Sequence, residues 1–182
     1  MSLVTTEYQK GFTLVEIAIV LVIVGLLLGG VLKGQELITN AEIKNFTTDL
    51  EEVVAATYAY QDRMGRFPGD LGQPGYLDLN AFWRDLEREG FIFGSTFIAG
   101  IQALPHRLNG FFVALPPGIP IANSKRTLCA TNVEESIAQG IDRKLDDGIP
   151  NTGDILVGNT LSANLTDYSS PESVRILCKI FK

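Results

Sequence analysis

The segment Phe12–Leu32, FTLVEIAIVLVIVGLLLGGVL, is an unbroken apolar run of about 21 residues that holds one ionisable side chain, Glu16. At 1.5 Å of rise per residue such a helix is about 31 Å long, the thickness of a bilayer's hydrocarbon core. Three readings compete for it. A secretory signal peptide has a shorter apolar core of about 7–15 residues, closed by a small-x-small cleavage site, and no such site follows here. A plain transmembrane anchor fits the length but leaves Glu16 unexplained. An acid at the centre of a bilayer helix costs about 2.5–3.5 kcal/mol, less near an end, and is a functional candidate whose partner has to be sought.

The third reading supplies a partner. A cut between Gly11 and Phe12 places a new α-amino group one helical turn from Glu16. The ammonium of one subunit and the carboxylate of a neighbour then neutralise each other in an apolar medium and favour one axial stagger. Buried ion pairs are poor sources of stability and better sources of register.

The residues Lys10 to Leu28, KGFTLVEIAIVLVIVGLLL, resemble the processing site of type IV pilins and type II secretion pseudopilins. The likeness rests on a basic residue before a glycine, an aromatic after it, a Thr-Leu step, and a glutamate four residues past the aromatic. It covers about the first 45 residues and extends only loosely beyond them. The resemblance implies cleavage after Gly11 by a prepilin peptidase, N-methylation of Phe12, and Glu16 as the residue that sets assembly register. It also implies further partners: other copies of the chain in a homopolymer or mixed filament, an inner-membrane assembly platform, and membrane lipid. Lys10 agrees with a leader kept in the cytoplasm. The sequence departs from many such proteins in having no proline between Phe12 and Phe67. Gly25, Gly29, Gly30 and Gly34 are the weak points instead, at about 1 kcal/mol of helix propensity each. Either the helix loosens near Gly29–Gly30 on packing, or the glycines let neighbouring helices approach closely.

From Lys33 the pattern turns amphipathic, with Leu37, Ile38, Ala41, Phe46, Leu50, Val53, Val54 and Thr57 at helical spacing. One helix is expected from about Phe12 to Met64, with Phe46, Tyr58 and Tyr60 as core aromatics. Three segments result: a leader over 1–11, a helix over 12–64 (12–32 membrane or filament core, 33–64 amphipathic), and a head over 65–182. The FPGD tetrad Phe67–Asp70 resembles a segment of one branch of pilin-like proteins; Pro68-Gly69 suits a type II turn, with Asp70 bonding nearby amides. Leu79–Glu89 reads as a short helix capped by Asn80 and stopped by Gly90. Strands are expected at Phe91–Phe93, Phe97–Ile101, Gly110–Leu115 and Ile119–Ala122. A second helix is expected at Thr131–Lys144, with Asn132 and Glu135 as a capping box. Val174, Ile176, Cys178 and Ile180 alternate in a final strand.

Cys129 and Cys178 are the two cysteines of the chain. No CxxC pair exists, and two cysteines alone make no zinc site. An even count outside the cytoplasm favours one disulfide; two separate buried thiols are the alternative. The loop Asp146–Asp154, DDGIPNTGD, offers oxygens from Asp146, Asp147, Asn151 and Asp154. Calcium takes six to eight such ligands, and some pseudopilins bind it in a C-terminal loop, so a calcium site stands beside a plain Gly/Pro turn. No other cofactor is expected.

Catalytic patterns are missing. His106 is the single histidine and reads as a loop residue, and no GxxxxGK[ST], HExxH or GxSxG occurs. A formal net charge of −6 argues against non-specific nucleic-acid binding, so no nucleic-acid partner is expected. The expected fold is α+β and pilin-like: a long N-terminal helix packed on a small antiparallel sheet, with a C-terminal disulfide. The function implied is that of a filament subunit, not an enzyme. The precursor would wait in a bacterial inner membrane with its head outside the cytoplasm, then join an extracellular pilus or a periplasmic pseudopilus. The alternatives are a secretion pseudopilin or minor pilin and, from a different class, a monomeric membrane-anchored binding domain.

Overall fold

A computed structural model describes residues 11–70, 72, 77–117, 125–160, 163–164, 168 and 173–181. The leader residues up to Lys10 and the strand expected at Ile119–Ala122 lie outside them. The chain divides into two compact units, Met1–Asn40 and Ala41–Lys182.

Helix α1 runs Leu14–Met64 without interruption, about 77 Å at helical rise. No proline breaks it, and it stops at Gly65, which adopts a left-handed φ of 68°. Its buried positions are Phe46, Thr47, Leu50, Val53, Thr57 and Tyr60. The alternate steps of three and four make one stripe, and each fully buried large side chain in it contributes roughly 1.5–3 kcal/mol. The buried threonine hydroxyls donate to carbonyls one turn back, Thr47 to Ile43 at 2.7 Å and Thr57 to Val53 at 2.8 Å. The stripe begins later than its sequence pattern implies, because Leu37, Ile38 and Ala41 are exposed. The head's core meets α1 only from Ile43 onward. There the approach of helix α3 (Glu135–Leu145) is so close that a Cβ on Gly140 would sit 2.4 Å from the Ile43 Cδ1. Ala41–Met64 therefore packs with the head in one compact unit.

The FPGD turn forms as expected. Asp70 donates its amide to Phe67 at 3.1 Å, and Gly69 supplies the φ of 75° that a type II turn requires. Gly69 is also pressed against helix α2 (Leu79–Arg88), where a Cβ would lie 2.8 Å from the Asp78 carbonyl. Its amide donates to Asp85, a buried carboxylate that Arg66 also meets at 3.1 Å. Asp70 accepts the Gly72 amide. The cap of α2 is Asp78, not Asn80: the Asp78 carboxylate takes the Asn80 and Ala81 amides. Asn80 instead ties α2 to the sheet, accepting the Gln102 amide at 2.7 Å.

Among the described residues seven strands form one antiparallel sheet: β1 Thr96–Ile98, β2 Ile101–His106, β3 Gly110–Leu115, β4 Thr127–Glu134, β5 Ile155–Thr160, β6 Ala163–Asn164 and β7 Val174–Ile180. Their order is β1-β2-β3-β4-β7-β5-β6. The expected strand Phe97–Ile101 is split, because Ala99 and Gly100 take positive φ and turn β1 into β2. Phe91–Phe93 is not a strand. The expected helix Thr131–Lys144 is corrected at its start: Thr131–Glu134 belong to β4, and α3 begins at Glu135. Asn132 sits at φ 58° in a bulge and donates to the Leu108 and Asn109 carbonyls, so it caps no helix. Glu135 gives its amide to Ser173 and its carboxylate to Arg175 at 2.6 Å.

The register lays two rows across the sheet. Phe112, Ala130, Leu177 and Val157 are aligned partners on the face that joins the main core with Phe46, Leu50 and Trp83. Val113, Cys129, Cys178 and Leu156 are aligned on the opposite face, in a smaller cluster. Cys129 and Cys178 face each other there, both fully buried, and form the disulfide.

Candidate functional site

Thr13 immediately precedes α1, and Glu16 lies three residues further on. The Thr13 amide and hydroxyl both donate to Glu16 Oε2 at 2.8 Å, and the Glu16 amide returns a bond to Thr13 Oγ1 at 3.2 Å. This is a capping box, in which two ends of one turn satisfy each other. It places the carboxylate at the positive end of the helix dipole and halves its unmet hydrogen bonding before any partner arrives. Glu16 Oε1 has no partner among the described residues, and so it remains open to a cation. Phe12 and Gly11 are exposed just ahead of the helix. The structure thus brings Gly11, Phe12 and Glu16 into one turn. It adds Thr13, whose part was legible as the T-x-x-E spacing of Thr13–Glu16.

Beyond this turn the helix is bare. Its window of highest apolarity reaches a mean hydropathy of 2.8 with none of it buried, which makes α1 long and apolar enough to cross a membrane. Leu14 is 91% exposed and Leu26 73%. At Gly25, Gly29, Gly30 and Gly34 an added Cβ would meet nothing within 4 Å, so no contact among the described residues accounts for these glycines. The first ion pair along the helix, Lys33 to Glu36 at 2.7 Å, comes after the apolar run.

In the head unit, Asp142, Asp146 and Asp147 each present a carboxylate oxygen within 4.8 Å of the others; two of them, Asp146 and Asp147, are among the expected calcium donors, and Asp142 is an addition. Asp142 belongs to α3 and lies one helical turn before Asp146; that i, i+4 spacing was its signal in the sequence. The path of the loop sets these positions. Asp146 turns back to accept the Asp154 and Ile155 amides, while Asp147 accepts the Ile149 amide and the Thr152 hydroxyl. Asn151 is exposed. Asp142 is buried, accepts the Tyr168 hydroxyl at 2.7 Å, and has its pKa pushed up by that burial. Three carboxylates are the right chemistry for calcium but half the ligands it takes. Each also accepts a backbone amide of the loop that follows, Asp142 from Gly148, Asp146 from Asp154 and Ile155, and Asp147 from Ile149.

His106 is not a loop residue. It ends β2, buried against Phe46 and Phe112 with ring centroids 5.0 and 4.9 Å away. The Leu108 amide donates to Nδ1 at 3.2 Å, so Nε2 carries the proton and donates to the Thr131 carbonyl at 2.9 Å. Burial lowers its pKa, and the neutral ring fits both bonds. The geometry is that of a satisfied core histidine.

Comparison with known proteins bears on the N-terminus. Residues 8–32 match the prokaryotic N-terminal methylation motif. No curated protein matches the chain. Among solved structures, the major type IV pilin PilA1 from Clostridium difficile is similar at 14% identity with a TM-score of 0.45, covering 79% of this chain and 96% of that one. The chain thus joins a prokaryotic N-terminal methylation motif to a long apolar N-terminal helix and an antiparallel α+β head closed by a disulfide.

Proposed function

We propose that this type IV pilin-like chain is a structural filament subunit, stored in a bacterial inner membrane and released into a polymer by one proteolytic cut. A prepilin peptidase removes the leader after Gly11 and the new amino group of Phe12 is methylated. The matched motif over residues 8–32 supports this step. The apolar helix then exchanges lipid for the helices of other copies, so little hydrophobic stabilisation is lost on transfer.

The observation that carries the reading is the state of Glu16. One carboxylate oxygen is held by Thr13, and the other faces outward from a helix with no buried residue before Phe46. An ammonium delivered by the Phe12 of a neighbouring copy completes that acceptor, and only one axial offset between helices delivers it. The amine adds charge neutralisation where the medium is apolar, and the dipole already favours the anion. The helix surface supplies attraction in every register; the ion pair selects among registers.

Mass spectrometry of the protein recovered from cells tests the reading. The expected mature chain begins at Phe12 and is heavier by one methyl group at that residue. A chain that still begins at Met1 would leave Glu16 without its amine, and the head would then be simply tethered. Sheared surface filaments composed mainly of this chain would identify a pilus subunit, whereas retention of the polymer in the envelope would identify a secretion pseudopilin.

A further inference from the structure

The single histidine of the chain ties a turn of the head unit to a neighbouring strand through two bonds of opposite sense. His106 Nδ1 accepts the Leu108 amide at 3.2 Å, while Nε2 donates to the Thr131 carbonyl at 2.9 Å. Only the neutral ring can do both, because an imidazolium donates from each nitrogen and accepts at neither. A proton added at Nδ1 keeps the bond to Thr131, and strengthens it, but sets one N–H against another at Leu108.

The ring has little room to turn away from that conflict. It is packed between Phe46 and Phe112. It also lies so close over Gly110 that a Cβ there would stand 2.7 Å from Nε2. The element that can yield is the turn over residues 107–109, between β2 and β3. On its β4 side the Asn132 side-chain amide holds the Leu108 and Asn109 carbonyls. On its α1 side the turn has the Nδ1 bond and Arg107, which meets Asp49 at 2.8 Å. The Arg107 side chain is 62% exposed, and exposed pairs contribute about 0–1 kcal/mol. Asp49 can therefore leave Arg107 at small cost.

The charges around the ring favour such an exchange. Asp49 and Glu52 of α1 and Arg107 of the turn line the same groove, of about 510 Å³, that His106 lines. Its other walls, residues 91–93 with Leu104, Pro105 and Phe112, carry no charge, and neither does Thr131 of β4. Two carboxylates thus face the ring against one cation, and that cation sits on the turn itself. Burial lowers the ring's pKa, while Asp49 acts in the opposite direction.

We propose that protonation of His106 releases the 107–109 turn on its α1 side, with Asp49 passing from Arg107 to the imidazolium. The turn stays attached through Asn132 and opens towards the groove. In the closed form burial keeps the ring neutral; in the open form water reaches it, and its proton affinity returns towards the ordinary value of about 6.5. The open form therefore binds the proton more tightly, and the ratio of open to closed rises by up to about tenfold for each pH unit below that value. On the placement proposed above, outside the cytoplasm, the pH of the medium sets the state of this part of the head. The device itself needs no polymer, so it stands or falls separately from the filament reading.

The test is nuclear magnetic resonance of the full isotope-labelled chain in detergent micelles, titrated from pH 7.5 to 5. The Leu108 amide is expected to lose its hydrogen-bonded shift with the same midpoint as the His106 ring, below about pH 6.5, while the Leu128 and Leu177 amides in the middle of the sheet hold theirs. His106→Gln can accept from Leu108 but does not titrate, and should leave the Leu108 signal flat. Asp49→Asn should lower the midpoint, because the counter-ion is gone. A Leu108 signal that stays fixed while the ring titrates would overturn the proposal, as would a ring that remains neutral until every amide shifts together. An unmoved midpoint in Asp49→Asn would overturn the exchange of partners.

Discussion

Reducing the Cys129–Cys178 bond is the perturbation whose size follows most directly from the fold. The two residues are 49 apart in sequence and are register partners on adjacent strands β4 and β7. Both lie fully buried in the smaller cluster with Leu115, Leu156 and Ile180. Reduction leaves the folded sheet with its backbone ladder and the same buried groups, so most of the change falls on the unfolded chain. For a closed loop of about 50 residues the chain-entropy relation gives about 14 cal/mol/K, or about 4 kcal/mol at 25 °C. A unit of about 140 residues unfolds with an entropy of about 0.3 kcal/mol/K near 60 °C, so the midpoint should fall by about 13 °C. The assay is thermal and urea unfolding of the Ala41–Lys182 unit, oxidised and reduced, followed by circular dichroism. The urea slope should rise on reduction, because an uncrosslinked chain exposes more surface. A midpoint shift below about 3 °C would refute the reasoning. It would mean that the unfolded chain is already held compact over this stretch, or that the bond strains the sheet by as much as it restrains the coil.

Three further outcomes are expected. Glu16→Ala should leave membrane insertion intact but reduce filament recovery by at least tenfold, read by sedimentation beside a membrane-fraction blot; filaments in normal amount from this variant would count against the Phe12–Glu16 register. Stability of the head unit should fall on acidification because of His106. Its folded pKa is depressed by burial, so its contribution is fully present above about pH 6.5, the ordinary histidine value, and is lost as the pH drops toward the folded value, with a slope of up to about 1.4 kcal/mol per pH unit. His106→Gln should flatten that slope in urea titrations between pH 7.5 and 5, whereas Asp142, whose folded pKa is raised, acts with the opposite sign. Finally, millimolar calcium or a chelator should leave the melting temperature of the head unit unchanged, since the carboxylates of Asp146 and Asp147 already close the loop through its backbone; a rise of several degrees with calcium would show instead that the Asp142, Asp146 and Asp147 oxygens bind the ion.

Much of this protein is written locally. The apolar run with its single acid, the capping spacing of Thr13 and Glu16, the FPGD turn and the existence of strand β7 are each decided within a few residues by helix period, φ preference or side-chain direction, and the structure reproduces them. Asp78 displaced Asn80 as the cap of α2 because a distant turn at Gly100–Gln102 had use for the Asn80 side chain. The helix once expected from Thr131 lost its first turn to β4, where β3 and β7 offered partners on both sides.

The strands β4 and β5 show the limit most clearly. Both open with four consecutive buried residues, Thr127–Ala130 and Ile155–Gly158, because core side chains cover both faces of the sheet's middle. A strand buried on both faces has no alternation to read. The pairing of Cys129 with Cys178, the burial of His106 between Phe46 and Phe112, and the meeting of Asp142 with Asp146 and Asp147 depend likewise on which segments the sheet sets side by side. Sequence alone determined the helix, its acid and the methylation motif over residues 8–32, since these rest on interactions between near neighbours. Tertiary structure decided the partners of the head, since those contacts exist only once the chain has closed on itself.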